Sequence, residues 1–148
     1  MDTNTLEDLG VRINVEVALR GPDGEIKQEE LLHNLIPTVG KEAIAKLLKE
    51  GTTRPTHMAI GTGTEAAAAG DTKLKTELDR NAAAETSVTA KVFTMKAEWA
   101  AGDGTGAITE AGLLSAASEG TLFARAVFSV VNKGAEDTLT ITWKITIE

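Results

Sequence analysis

The run Gly61-Thr62-Gly63-Thr64 follows the apolar stretch Met58-Ala59-Ile60. Paired glycines at the end of a strand are where backbone amides can cradle a phosphate. The dinucleotide fingerprint also needs a third glycine and a helix that opens at once. Here Gly63 is followed by TEAAA, and Glu65 would repel a phosphate. The other phosphate loop needs Gly-Lys-Ser/Thr, which the chain lacks. The glycine pair therefore reads as a tight bend, where a missing side chain lets another backbone come close.

The other chemistry-bearing residues are scattered. His33 and His57 fall in different elements, and Glu29 and Glu30 near His33 are joined by no second histidine to complete a metal set. Both histidines read as structural. Asp103-Gly-Thr-Gly opens like a calcium loop, but Thr105 is a poor carboxylate substitute and Ala107 offers no side-chain oxygen. The bidentate Glu is also missing at its offset. No serine stands in a Gly-x-Ser-x-Gly elbow. Glu110 sits among apolar residues in Ile108-Thr-Glu-Ala-Gly-Leu113. If buried it needs a cation such as Arg125 or Arg80; the simpler expectation is a solvated charge at a strand edge. Nothing supplies a second group for acid–base work. No residue is assigned to catalysis, a cofactor or a metal, and the chain reads as a non-enzyme.

The elements that would position these residues are mostly strands. From Thr138 to Glu148 the sequence TLTITWKITIE alternates, with Leu139, Ile141, Trp143, Ile145 and Ile147 in one phase and Thr, Lys or Glu in the other. A period of two marks a strand with one buried and one wet face. Val11–Arg20 alternates in the same way, GPDG at 21–24 is a turn, and Glu25–Leu32 returns as a hairpin. Strands are also expected at Thr56–Ile60, within Glu85–Ala100, at Ala107–Leu114 and at Leu122–Val131. Val39, Ala43, Ile44, Leu47 and Leu48 share one face of a helix over about 38–50, before Gly51. A second short helix, over about 71–80, would be capped by Asp71 or Thr72 and anchored by Leu74 and Leu78. The fold class is mainly β: a single antiparallel β-sandwich or barrel-like domain over 11–148, behind a flexible arm of residues 1–10.

Bulk properties narrow the partners. The 148 residues include no cysteine, which excludes disulfides and thiolate metal sites. A net charge of −7 argues against nucleic acid or an anionic membrane as the main partner. No apolar run is long enough to span a bilayer, and the polar, acidic start lacks the marks of a signal peptide. Aromatics are only 3% of the chain, so Val, Ile, Leu and Ala must build most of the core. Trp99 and Trp143 lie in the apolar phase of their strands and read as core residues before they read as a sugar platform.

One resemblance emerges from the order of motifs. The series is His57-Met-Ala-Ile-Gly-Thr-Gly-Thr64, Leu78-Asp-Arg80, Phe93, Ile108-Thr-Glu-Ala-Gly-Leu-Leu114, Gly120-Thr-Leu-Phe-Ala-Arg125 and Lys133 through Trp143. Asn34, Thr38 and Gly40 precede it, with a spacing that departs from the usual one. The series resembles small structural proteins of tailed bacteriophages, which share "ALGTGT", "TEAGLF" and an "LTVTWTI"-like ending. The resemblance spans residues 11–148. It implies a virion component made in the host cytoplasm, most simply a capsid decoration (cement) protein on the outer head surface. Its partners would be the major capsid protein and neighbouring copies of itself, in a homotrimer. Cofactors, nucleic acid and membrane have no part in that picture. A tail, baseplate or fibre-base adaptor is the alternative, and a carbohydrate-binding β-sandwich module a further one.

Overall fold

The computed structural model describes residues 11–34, 36–40, 47 and 53–147. Nine strands lie among them: β1 (Val11–Arg20), β2 (Ile26–Asn34), β3 (His57–Gly61), β4 (Glu77–Ala82), β5 (Glu85–Thr89), β6 (Val92–Trp99), β7 (Gly106–Leu114), β8 (Leu122–Lys133) and β9 (Thr138–Ile147). They form two antiparallel sheets packed face to face, a β-sandwich. The first has five strands in the order β2-β1-β9-β6-β5, and the second four in the order β4-β3-β7-β8.

The alternating strands end up where their pattern requires. β9 lies between β1 and β6, with Trp143 opposite both Val15 and Met95. Ile13, Val15, Val17 and Leu19 of β1 and Leu139, Ile141 and Trp143 of β9 point into the sandwich. Met58, Ile60, Ile108, Leu113, Phe128 and Val131 meet them from the second sheet in one cluster. Their polar neighbours in β1 and β9 face outward, half-buried or exposed. Trp99 and Trp143 are fully buried, so neither offers a ring for a sugar to stack on.

The expected second helix over 71–80 is absent. Residues 62–76 contain neither helix nor strand, and Glu77–Ala82 is β4, paired antiparallel with β3 through Met58↔Asn81 and Ile60↔Asp79. Leu74 and Leu78, four apart, do not share a face: Leu74 is 3% exposed and Leu78 44%. The free edge of β3 needs a hydrogen-bonding partner, and that demand outweighs the weak helical preference of KTELDR. Of the helix expected over 38–50, Thr38, Val39, Gly40 and Leu47 are helical. The rest of it, and the arm at 1–10, lie outside the described residues.

The strand-rich stretch 85–100 holds two strands, β5 and β6. Thr89 pairs with Val92 around a two-residue turn, Ala90-Lys91, in which Ala90 has φ of 53°. A positive φ at the first turn residue usually selects glycine. Alanine there leaves the turn without its usual sequence mark.

Candidate functional site

The residues that the sequence marked as chemical meet on the outer face of the four-stranded sheet. Alternation along β7 sends Glu110, Gly112 and Leu114 to that face. Arg125 joins them from β8, where Gly112 pairs with Arg125 and Glu110 with Val127. Segment 62–76 lies over these side chains as a roof. Leu74 from the roof packs with Ala59, Leu114 and Leu122, and Val39 packs against this second small cluster.

Glu110 is not a solvated edge charge; it is 0% exposed. Its Oε2 accepts the amides of Gly63 and Thr76, both at 2.8 Å. Its Oε1 accepts the Lys75 amide at 2.9 Å and Arg125 Nε at 2.8 Å. Of the two cations considered for it, Arg125 is the partner. Arg80 instead grips Glu77 through Nε and Nη2, and reaches the carbonyls of Ala116 and Glu119 through Nη1.

Arg125, 1% exposed, is also fully engaged. Nη1 donates to Asp71 Oδ2 at 3.1 Å, and Nη2 to the Glu65 carbonyl at 2.9 Å. Asp71 Oδ2 accepts the Ala68 amide at 3.0 Å, and Lys75 Nζ stands 3.3 Å from Oδ1. Thr109 Oγ1 donates to the Gly63 carbonyl at 2.7 Å. The guanidinium thus spans the sheet and the roof, and two carboxylates hold it.

Electrostatics follow from this geometry. Burial alone would raise the Glu110 carboxyl. The Thr76 amide, the Arg125 guanidinium and the Lys75 and Gly63 amides more than reverse that and hold it below its ordinary value. Asp71 behaves alike: burial pushes it up, and the Ala68 amide, Arg125 and Lys75 bring it down further. Both groups are therefore anions at neutral pH. A general acid or base needs a proton affinity near the working pH and a free lone pair. Glu110 has neither, because protein donors fill both of its oxygens.

The glycine pair finds its explanation here. A Cβ on Gly63 would collide with Glu110 Oε2, and one on Gly61 with the Thr76 carbonyl oxygen. The Gly63 amide, which a phosphate would have needed, is already given to Glu110. The pair serves close backbone approach, as expected.

The remaining candidates do not join this cluster. His33 in β2 contacts Asn14 in β1, whereas His57 in β3 contacts Thr56, with Nδ1 2.9 Å from Oγ1. Asp103 lies in a turn closed by its own amide on the Ala100 carbonyl. Among the described residues no group of His, Asp or Glu is placed to hold a metal ion.

Two buried groups were not singled out from the sequence. Asp71 was considered only as a helix cap, although a lone arginine in the apolar run LFARAVF signals a buried acid nearby. Lys133, 2% exposed, donates to the Ala100 carbonyl at 3.0 Å and so ties β8 to the end of β6. Burial pulls its pKa below the ordinary lysine value, despite Asp137, Asp103 and Asp79 nearby. No protein-family model, curated protein or solved structure matches the chain.

Proposed function

We propose that the chain is a non-enzymatic structural protein of a bacteriophage virion, a decoration protein that binds the outer head surface and bridges major capsid subunits. One observation carries this reading. Three of the motifs behind the resemblance are distant in sequence but meet at one place: Gly63 of the GTGT run, Glu110 of TEAGLL and Arg125 of GTLFAR are joined by direct hydrogen bonds. A fourth, Leu78-Asp-Arg80, ties β4 to the loop after β7 through Arg80. The motifs therefore depend on one another physically, which is how a fold signature behaves. That supports the resemblance and, through it, the virion role.

The mechanism is mechanical. A sandwich with one roofed outer face presents its other face and its free edge strand β5 to neighbours. Each contact need contribute only a few kcal/mol, roughly, because many copies on one shell act together. The test is cryo-electron microscopy of intact particles. The expected result is copies of this chain spread over the head at local symmetry axes. Copies confined to the tail or to a single vertex would overturn the decoration reading in favour of the adaptor.

A further inference from the structure

Each sheet has two edge strands, and three of the four are tied by side-chain hydrogen bonds to another element. β2 carries Lys27, Glu29 and Glu30, and its Gln28 Nε2 donates to the Val130 carbonyl on β8, a side-chain tie between these two edges. β4 is held by Arg80 against the loop after β7, and its Asn81 Nδ2 donates to the Glu98 carbonyl. β5 differs. It pairs with β6 on one side in an uninterrupted register, all five of its residues are exposed, and among the described residues none hydrogen-bonds to its free side. Natural edges are guarded by proline, bulges, lysine or a covering segment. ETSVT has none of these, and its one charge is Glu85 at the end.

We propose that β5 pairs antiparallel with β5 of a second copy about a two-fold axis, joining two five-stranded sheets into one. Thr89 and Val92 flank a two-residue turn and so form a hydrogen-bonded pair. By alternation, the main-chain groups of Thr86 and Val88 point to the free side. An axis through Ser87 sets Thr86 against the partner's Val88, and Val88 against the partner's Thr86, using every donor and acceptor those residues leave free.

The side chains are self-complementary in that register. Glu85, paired with Lys96 of its own chain, falls opposite the partner's Thr89, so no like charges meet. On the other face Val88 lies diagonal to the partner's Val88. At 71% exposed it is the most exposed large hydrophobic among the described residues. One short strand pair buries less than the roughly 1,000 Å² of a stable interface. The contact is therefore weak between free molecules and strengthens where copies are held side by side. It stands independently of the decoration reading; on a shell it would link adjacent copies.

The absence of cysteine makes the test clean. In the proposed register Ser87 faces its own copy as a non-hydrogen-bonded pair, with Cα atoms about 4.5 Å apart, inside the range a disulfide spans. Ser87→Cys, mildly oxidised in concentrated solution, is expected to form a disulfide dimer of twice the chain mass. Ser129→Cys, exposed on β8, is expected to remain a single chain under the same conditions. Adding Val88→Lys to Ser87→Cys should abolish the dimer while leaving the melting temperature unchanged. Equal cross-linking of the two cysteine variants, or a Ser87→Cys dimer that survives Val88→Lys, would overturn the proposal.

Discussion

The two sheets bury their inner faces alike but treat their outer faces in opposite ways. The outer face of the five-stranded sheet is open and carries Glu16, Arg20, Lys96, Glu98, Thr140 and Thr142 around a shallow depression. Its charges pair loosely, as Lys144 does with Glu16 at 3.3 Å and Lys96 with Glu85 at 3.2 Å, with Glu16 and Glu85 well exposed. The outer face of the four-stranded sheet carries Glu110 and Arg125 under a roof, and every polar atom of that pair has a partner. Water screens the first set, so each pair contributes little. The second set is out of water and persists only because its bonds are complete. The same residue types act as a solvated surface on one sheet and as the fastening of a second layer on the other.

Removing one partner from the roofed pair should have the largest effect. Arg125→Met leaves Glu110 buried without a cation and Asp71 with only Lys75, and is expected to cost about 3–5 kcal/mol in chemical denaturation. Replacing both, as Glu110→Leu with Arg125→Met, should not restore wild-type stability. Glu110 also holds the Gly63, Lys75 and Thr76 amides, and each orphaned amide costs about 1–3 kcal/mol. Full recovery in the double variant would mean that the roof does not depend on the carboxylate.

Gly63→Ala should cost about 1–3 kcal/mol, by driving a methyl group into Glu110 Oε2. Its melting temperature should fall while the near-ultraviolet signal of the buried tryptophans persists, because the sandwich interior is untouched.

Acid should act on the roofed face. The folded pKa values of Glu110 and Asp71 are lowered, so their contribution is fully present above the unfolded carboxylate values near about pH 4. It is lost as pH falls through the folded values. Stability measured against pH should decline below that point, and less steeply in Glu110→Gln. An identical slope in that variant would assign the acid sensitivity elsewhere.

The smallest change belongs to the open face. Lys144→Ala breaks only its exposed pair with Glu16 and should alter stability by less than about 1 kcal/mol. A loss as large as that of Arg125→Met would erase the distinction between the faces.

The open sheet was legible in the sequence because its strands alternate between an apolar face and a wet one. β1, the β1–β2 hairpin and β9 all follow from that pattern. The roofed sheet was harder to read. β7 is buried on both faces after Ala107, so Glu110 in a small-residue strand looked like an edge charge. Its roof, residues 62–76, binds through backbone amides and absent side chains, which leave no periodic mark. β4 was concealed because Leu74 and Leu78 share helical spacing while serving different layers. Arg125 was the one legible clue, since an arginine inside LFARAVF implies a buried anion, but strand spacing alone could not identify it.

The most direct test of the fastened roof is amide hydrogen exchange at Gly63, Lys75 and Thr76 in the native state. The account predicts that all three exchange slowly, with protection approaching that of the β9 core amides, and that Glu110→Gln accelerates all three together while β9 stays protected. Rapid exchange of these amides in the unaltered protein would contradict it, because the roof would then open freely and the buried carboxylate would not be holding it.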